Sequence, residues 1–259
     1  MSDYLHPNRR VSEPKAGSGF ELSQPNADAG HVNDPSSKAE SERRDSFLHV
    51  YRHLRLDLVS GNRKPGDQII VTDAARRLST SPTPVREALA RLSGERLVED
   101  RRHYGFYVPL PSWFDLLELY DLCELHLVAA VRAAAGTSQP ATGPAPHAVS
   151  MTGDFAAAMA DDPFGCAHLS ILSLSKNARL VVAGRLVIDC LAAARRVETG
   201  LYPKDVDQVQ YLAEQSRAGL WRNLFVWIRE DFRVRHLRAE PVAYALAAEH
   251  RARNRPNIV

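Results

Sequence analysis

Two prolines, Pro82 and Pro84, set the strongest local constraint in this sequence, within the stretch LSTSPTPVREALARL at residues 78–92. A proline has no backbone N–H, so it fits the first turn of a helix and disrupts the interior of one. We therefore expect Ser81 at the N-cap of a short helix whose first residue is Pro82. The stiff first turn would leave backbone N–H groups and the positive end of the helix dipole facing an anion. The apolar face of this helix is predicted to consist of Val85, Ala88, Leu89 and Leu92.

The residues around this helix predict two more helices and a hairpin. Helical spacing of apolar residues indicates a first helix at about 45–60, and Thr72 is a suitable N-cap for a second one ending near Leu78. QIIV is a short extended piece between these two helices. Strand patterns in RLVED and GFYVPL flank the basic turn RRHY, where Gly105 can adopt a positive φ. Three helices followed by a two-stranded hairpin predict a winged helix-turn-helix.

The remainder of the chain has helical periodicity and almost no strand signal. A long helix is expected after residue 111, followed by helices at about 152–161, 163–175, 177–198, 204–229 and 230–250. Residues 1–44 are rich in Ser, Pro, Asn and Gly and are predicted to be a disordered tail. The predicted fold class is mainly α: a winged helix-turn-helix at 45–110, then an all-α helical bundle at 111–259.

Composition and motifs argue against a membrane protein, a disulfide-bonded protein and an enzyme. An apolar content of 44% with 25% charged residues is ordinary for a globular protein, and no apolar run is long enough to span a bilayer. Three cysteines without CxxC spacing favour a reducing cytoplasm. We find no phosphate-binding glycine loop, no GxSxG and no HExxH. We therefore expect a cytoplasmic protein that is neither an enzyme nor bound to a membrane.

Basic side chains surround the predicted helix and wing. Residues 45–110 contain 11 Lys and Arg against 8 Asp and Glu, an excess of 11 − 8 = +3. Neutralisation of phosphates by such residues supplies most of the non-specific affinity for DNA. The hydroxyls of Ser81 and Thr83 suit phosphate or base-edge contacts. DNA binding is thus the prediction, and a surface-charged helical hairpin without a ligand is the alternative.

Residues 45–110 resemble, without a gap, the DNA-binding domain of the GntR family of bacterial transcription regulators. TPVREAL at 83–89 is the most specific part of the likeness. The resemblance implies a homodimer on an inverted-repeat operator in double-stranded DNA, with repression as the default. The residues implicated in DNA binding are Thr72, Arg76, Arg77, Ser81, Thr83, Arg86, His103, Tyr104 and Gly105.

The sequence departs from the family pattern at several positions. Pro82 and Thr72 stand where basic residues are frequent, Ser79 replaces a turn glycine, and Arg96 follows Glu95 where glycine is usual. Because an arginine can read a base with two hydrogen bonds, these losses leave the operator sequence undetermined.

The helical region is similar to the FCD-like effector domain of the FadR-type branch, through ELYDLCELHLVAA (118–130) and HLSILSLSKN (168–177). In that branch an Asp and several His hold a divalent metal and a carboxylate effector. Here Phe164 takes the place of the Asp, and Gln215 falls near a later ligand, so only His168 and His236 could ligate zinc or nickel. We therefore expect no metal or other cofactor. The candidate effector-binding residues are His126, Arg132, His168, Gln215 and His236.

Three interpretations of the whole chain remain open. In the first, the helical region dimerises and senses a small anionic metabolite. In the second, effector sensing is lost and the helical region serves only dimerisation or protein interaction. The third is a helical metal-dependent enzyme that uses His168 and His236.

Overall fold

In this computed structural model, which describes residues 35–136 and 162–255, the chain is mainly helical with one small sheet. The helices are α1 (Pro35–Val59), α2 (Val71–Arg77), α3 (Pro82–Gly94), α4 (Trp113–Ala135), α5 (Pro163–Leu172), α6 (Ala178–Cys190), α7 (Ala192–Leu201), α8 (Asp207–Arg217) and α9 (Trp221–Arg253). A 3-10 turn, Pro203–Val206, precedes α8. The strands are β1 (Gln68–Ile69), β2 (Glu99–Arg101) and β3 (Gly105–Tyr107). The predicted fold class is confirmed.

Helix α3 begins where its prolines predict. Ser81 is the N-cap in an extended conformation (φ −82°, ψ 162°), and Pro82 is the first helical residue. The Ser81 hydroxyl makes no capping hydrogen bond, so the cap rests on backbone geometry alone. The predicted apolar face of the helix is buried. The hydroxyl is therefore available to a ligand.

Helix α2 begins earlier than predicted, so the assignment of Thr72 as its N-cap is wrong. Ile70 occupies the N-cap, because its carbonyl already accepts the first helical hydrogen bond, from the N–H of Ala74 at 3.0 Å. Thr72 instead lies in the first turn with its side chain exposed.

Strand β3 is central in a three-stranded antiparallel sheet of order β1-β3-β2. The predicted hairpin turns through His103 (φ +67°) and Gly105 (φ +94°). The extended piece QIIV supplies β1, which the sequence did not predict to pair. It pairs because the N–H of Gly66 donates to the carbonyl of Val108 and the N–H of Val108 donates to the carbonyl of Asp67, both at 2.9 Å.

Helix α1 starts at Pro35, before the predicted start near residue 45, so residues 35–44 are not a disordered tail. The segment begins with a proline, which suits a first turn, and continues with Lys, Ala and Glu, which are good helix formers. The rest of the predicted tail, residues 1–34, and the predicted helix at 152–161 lie outside the described residues.

The helix boundaries in the C-terminal region differ from the prediction in two places. The predicted helix at 177–198 is two helices, α6 and α7, which meet at Leu191 (φ −83°, ψ −4°). The predicted break at 229/230 is wrong: α9 is continuous and contains Pro241. The apolar stripe of α9 continues through Ile228 and Phe232, both buried, so packing holds the helix together there. The chain breaks instead at Gly219 (φ +67°), just before α9.

Two clusters of buried apolar side chains organise the described residues. One is built mainly from α1, α2, α3 and the sheet, with Cys190 of α6 packed against it. The other is built from α4 through α9 together with Val59 at the end of α1, and α4 packs along α9. From Glu40 onward the described residues form one compact unit. No helix in the two described ranges has the length and apolarity to cross a membrane. The domain boundary at 110/111 stays a prediction.

Two non-glycine residues hold a left-handed backbone conformation at positions where the family pattern has glycine. They are Ser79 (φ +52°) and Arg96 (φ +62°). An L-residue there pays about 1–2 kcal/mol, because its Cβ crowds the following carbonyl.

We therefore expect Ser79→Gly and Arg96→Gly each to raise the free energy of unfolding by about 0.5–1 kcal/mol, since relieved strain exceeds the added freedom of the unfolded chain. Urea unfolding monitored by circular dichroism measures the free energy of unfolding. Ala90→Gly, on the exposed face of α3, is the control and should lose about 1 kcal/mol. A loss of stability in Ser79→Gly would contradict the assignment of strain.

Candidate functional site

The outward face of α3 carries the polar side chains predicted to touch DNA. Ser81, Thr83 and Arg86 are exposed, while Val85 and Leu89 on the opposite face are fully buried. Arg86 forms no ion pair with any residue that the structure describes. Its guanidinium is therefore free to bind a phosphate or a base edge.

The two arginines of α2 have different roles. Arg76 is exposed and lies 3.4 Å from Asp73 in the same helix, an arrangement that costs little to break. Arg77 forms a close ion pair with the buried carboxylate of Asp57 in α1. Arg77 therefore fastens α2 to α1, and Arg76 is the one of the two that can reorient towards a ligand.

The wing presents exposed side chains on a braced hairpin. Tyr104 is 73% exposed at the tip, beside exposed His103 and Gly105. The side chain of Gln68 in β1 donates to the carbonyl of Tyr104 at 3.0 Å. The guanidinium of Arg101 lies 4.3 Å from the ring centroid of Tyr107. Gln68 was missed as a bracing residue, because the pairing of β1 with β3 was not predicted.

In the helical region, His168 lies in a fully buried position on α5, with 1% of its surface exposed. Its ring stacks on Phe232 of α9 with centroids 5.6 Å apart. Its Nε2 is 3.7 Å from the carboxylate of Asp231, and neither ring nitrogen has a hydrogen-bond partner. Burial, together with the nearby Arg235 and Arg195, holds the pKa of His168 well below its ordinary value.

A network of buried charges surrounds His168. Asp162, the N-cap of α5, accepts three hydrogen bonds from Nε and Nη2 of Arg195 of α7, the shortest at 2.6 Å. Arg235 of α9 pairs closely with Glu198 of α7 and donates to Asp231 at 2.8 Å. The interior of the helical region thus contains carboxylates and guanidinium groups already joined to each other.

Two charged residues of this network, Arg235 and Glu198, were missed in the sequence. Arg235 and Glu198 sit in ordinary helical stretches, where Arg and Glu usually face solvent. Phe164, at the position of a family ligand, lies instead against Arg235, whose guanidinium carbon is 4.8 Å from the ring centroid. That aromatic-cation pair could have been suspected only from the replacement of the ligand by Phe164.

The other four candidate effector residues lie outside this buried network. His236 Nε2 is 2.8 Å from Asp121, and Gln215 accepts from Asn223 at 2.8 Å. His126 is half-buried on α4, and Arg132 is exposed over the ring of Phe225. The structure therefore does not assemble the predicted effector set.

The predicted metal ligands likewise do not form a metal centre. Within residues 35–136 and 162–255, no group of three or more His, Cys, Asp or Glu is arranged to hold an ion. His168 and His236 are thus not parts of such a group. The nearest charged neighbours of His168 include guanidinium groups, which repel a cation.

A protein-family model and two curated relatives each match a limited part of the chain. Residues 47–108 match the family model of bacterial regulatory proteins of the gntR family. The chain is 34% identical over 74 residues to the HTH-type transcriptional repressor GlaR of Escherichia coli (strain K12). It is 29% identical over 76 residues to the uncharacterized HTH-type transcriptional regulator YdhC of Bacillus subtilis (strain 168). Each match covers 29% of this chain and 34%, about a third, of the relative.

Solved structures resemble a larger part of the fold. One is described as a transcriptional regulator GntR from Rhodococcus sp. RHA1, with TM-score 0.59 and 22% identity, covering 74% of this chain and 96% of that one. Another is McbR/YncC of E. coli, with TM-score 0.54 and 18% identity, covering 79% and 98%. At these identities the likeness shows the fold alone. Residues 47–108 thus match the gntR family model, and about three-quarters of the chain shares its fold with these solved structures.

The depressed pKa of His168 predicts an acid-sensitive contribution to stability. Above pH 6.5 the ring is neutral in both the folded and the unfolded chain; below it only the unfolded chain gains the proton. Stability should then fall by about 1.4 kcal/mol for each pH unit until the depressed pKa of the folded state is reached.

Replacing His168 with Leu should remove this component, so the variant should lose less stability between pH 6.5 and 5.5 than the wild type. Urea unfolding at both pH values measures this change in the free energy of unfolding. His126→Leu, on α4 outside the buried network, is the control. If the free energy of unfolding of His168→Leu fell between pH 6.5 and 5.5 as much as that of the wild type, the ring of His168 would be able to take up a proton in the folded state.

Proposed function

We infer that the chain is a transcription regulator that binds double-stranded DNA through its winged helix. The single observation that carries this is the free, exposed Arg86 on the TPVREAL face of α3, in a segment matched by the GntR family model. The relatives named as transcriptional regulators support it, and the name of GlaR supports repression. The chain is proposed to act as a homodimer and to have no catalytic activity.

In the proposed complex, α3 lies in the major groove and the wing follows the adjacent backbone. Arg86 reaches a base edge or phosphate, Ser81 and Thr83 add short hydroxyl contacts, and Tyr104 with His103 extends the wing towards the minor groove. Two copies related by a twofold axis would place their recognition helices about 34 Å apart on an inverted repeat.

A second candidate function concerns the helical region. An anionic effector at His168 would have to compete with Asp231 and Glu198 for Arg235, which they already hold. This observation favours a helical region that serves dimerisation or protein interaction without sensing a metabolite. No metal cofactor is proposed in either version.

Affinity capture and sequencing of the source organism's fragmented genome tests DNA recognition. The wild type should enrich a few fragments that share an inverted repeat, and Arg86→Ala should lose them because the base-reading guanidinium is gone. Arg132→Ala, which removes an equally exposed arginine from α4, is the control and should behave as the wild type. Retained enrichment by Arg86→Ala would refute the assignment of α3.

The neighbouring arginines Arg76 and Arg77 allow a matched comparison. Arg76→Gln should weaken binding of all DNA sequences and reduce the slope of log Kd against log salt by about one, with an unchanged Tm. Arg77→Gln should lower the unfolding free energy by about 1 kcal/mol, because Asp57 loses its closest cation. Fluorescence anisotropy from 50 to 300 mM salt and thermal unfolding measure the two effects. A reduced Tm of Arg76→Gln would show that Arg76 contributes to folding stability as well as to DNA binding.

A further inference from the structure

One guanidinium joins the winged helix to the helical region. Arg55 in α1 donates through Nη1 to Glu95 at 2.8 Å, and its Nη2 pairs closely with Asp189 in α6. Glu95 is the C-cap residue of α3, and it also accepts hydrogen bonds from Tyr51 and Arg91. Arg55 thereby ties the end of the recognition helix to α6.

The carboxylate of Asp189 is the most deeply buried part of this junction, with 0% of its side chain exposed. Burial raises its pKa, and Arg55 and Arg185 oppose that shift. Arg55 itself loses hydration on burial, yet its pKa is raised, because Asp189, Tyr51 and Glu95 face it. Breaking a buried pair by removing one partner strands the other charge, which is strongly unfavourable.

Other contacts also cross the junction. The thiol of Cys190 in α6 lies 3.8 Å from the carbonyl of Glu95, and further contacts involve the turn between α1 and β1. Arg196 of α7 donates to the carbonyl of Val59 at 2.5 Å, and Arg253 of α9 donates to the carbonyl of Pro65 at 2.9 Å. The ring of His250 lies directly over Gly66. Arg196, Arg253 and His250 contact this turn and not α3, whereas Arg55 and Cys190 contact Glu95 at the end of α3.

An open polar cleft lies beside the same turn. It has a volume of about 850 Å³, and its walls include Arg63 and Gln68 from the winged helix and His250 and Asn254 from the end of α9. Around the contacts of His250 and Arg253 with the turn, this side of the junction is open. The buried pair of Arg55 and Asp189 lies on the other side, where Arg55 contacts both α6 and the C-cap of α3.

We propose that Asp189, acting through Arg55, is a positioning residue that holds the recognition helix at one orientation to the helical region. Arg55 binds one carboxylate at the C-cap of α3 and another in α6. Its guanidinium therefore sets the angle between these two helices. In a dimer this angle determines how far apart the two recognition helices lie. The consequence for DNA rests on the proposed function; the coupling of the two parts does not.

Calorimetry without DNA tests the coupling. The wild type should unfold in one transition, and Asp189→Asn in two, because the winged helix is released. Asp162→Asn is the matched control: it weakens a buried carboxylate–arginine pair inside the helical region and should lower Tm with one transition retained. Arg55→Lys, whose ammonium lacks the two-sided fork, is the milder second variant and should also give two transitions. A single transition in both junction variants would overturn the coupling.

Operator spacing tests the positioning. One base pair inserted between the half-sites of a captured fragment turns one half-site by about 35° relative to the other. The wild type and Asp162→Asn should lose about 10-fold or more in affinity, and Asp189→Asn less than about 3-fold, because its winged helices can follow the turned half-site. Equal losses would overturn the positioning role. If the wild type bound no DNA, the proposed function would fail, and calorimetry would still decide the coupling.

Discussion

Buried charge that must be paired is the constraint on which the rest of this structure depends. Asp162 is held by Arg195, Glu198 by Arg235, and Asp189 by Arg55, and each pair joins two different helices. An ion left unpaired in such a position costs several kcal/mol, whereas apolar packing tolerates small shifts. The pairs therefore specify which helices meet and in what register, and the apolar side chains fill the space around them.

The winged helix was largely predictable because its signals are local. Pro82 can only begin a helix, and Gly105 sits where the hairpin needs a positive φ, so both restrict the backbone without help from distant residues. Ser79 and Arg96 are the instructive exceptions. They adopt the conformation that glycine would favour, which the family pattern indicated and residue propensity alone would not. The start of α1 and the pairing of β1 depend on neighbours and were not predicted.

The helical region was predicted in class and missed in detail. Helix α9 runs through the expected break because Ile228 and Phe232 continue one buried stripe, a property of packing. His168 was predicted as an effector-binding candidate, and its buried surroundings could not be inferred from the sequence. In the sequence, Arg235 and Glu198 cannot be distinguished from solvent-exposed charges on a helix. Only the packing of α7 against α9 shows that they face inward.

Pro241 gives α9 an unequal stiffness along its length. A proline within a helix cannot donate to the carbonyl four residues earlier, here that of Leu237, so one rung of the helix is missing. Before Pro241, Phe232 stacks on the ring of His168. After it, the ring of His250 lies over Gly66 in the turn between α1 and β1. The backbone of α9 is therefore less stiff at Pro241 than along the rest of the helix, between its contact with His168 and its contact with the turn before β1.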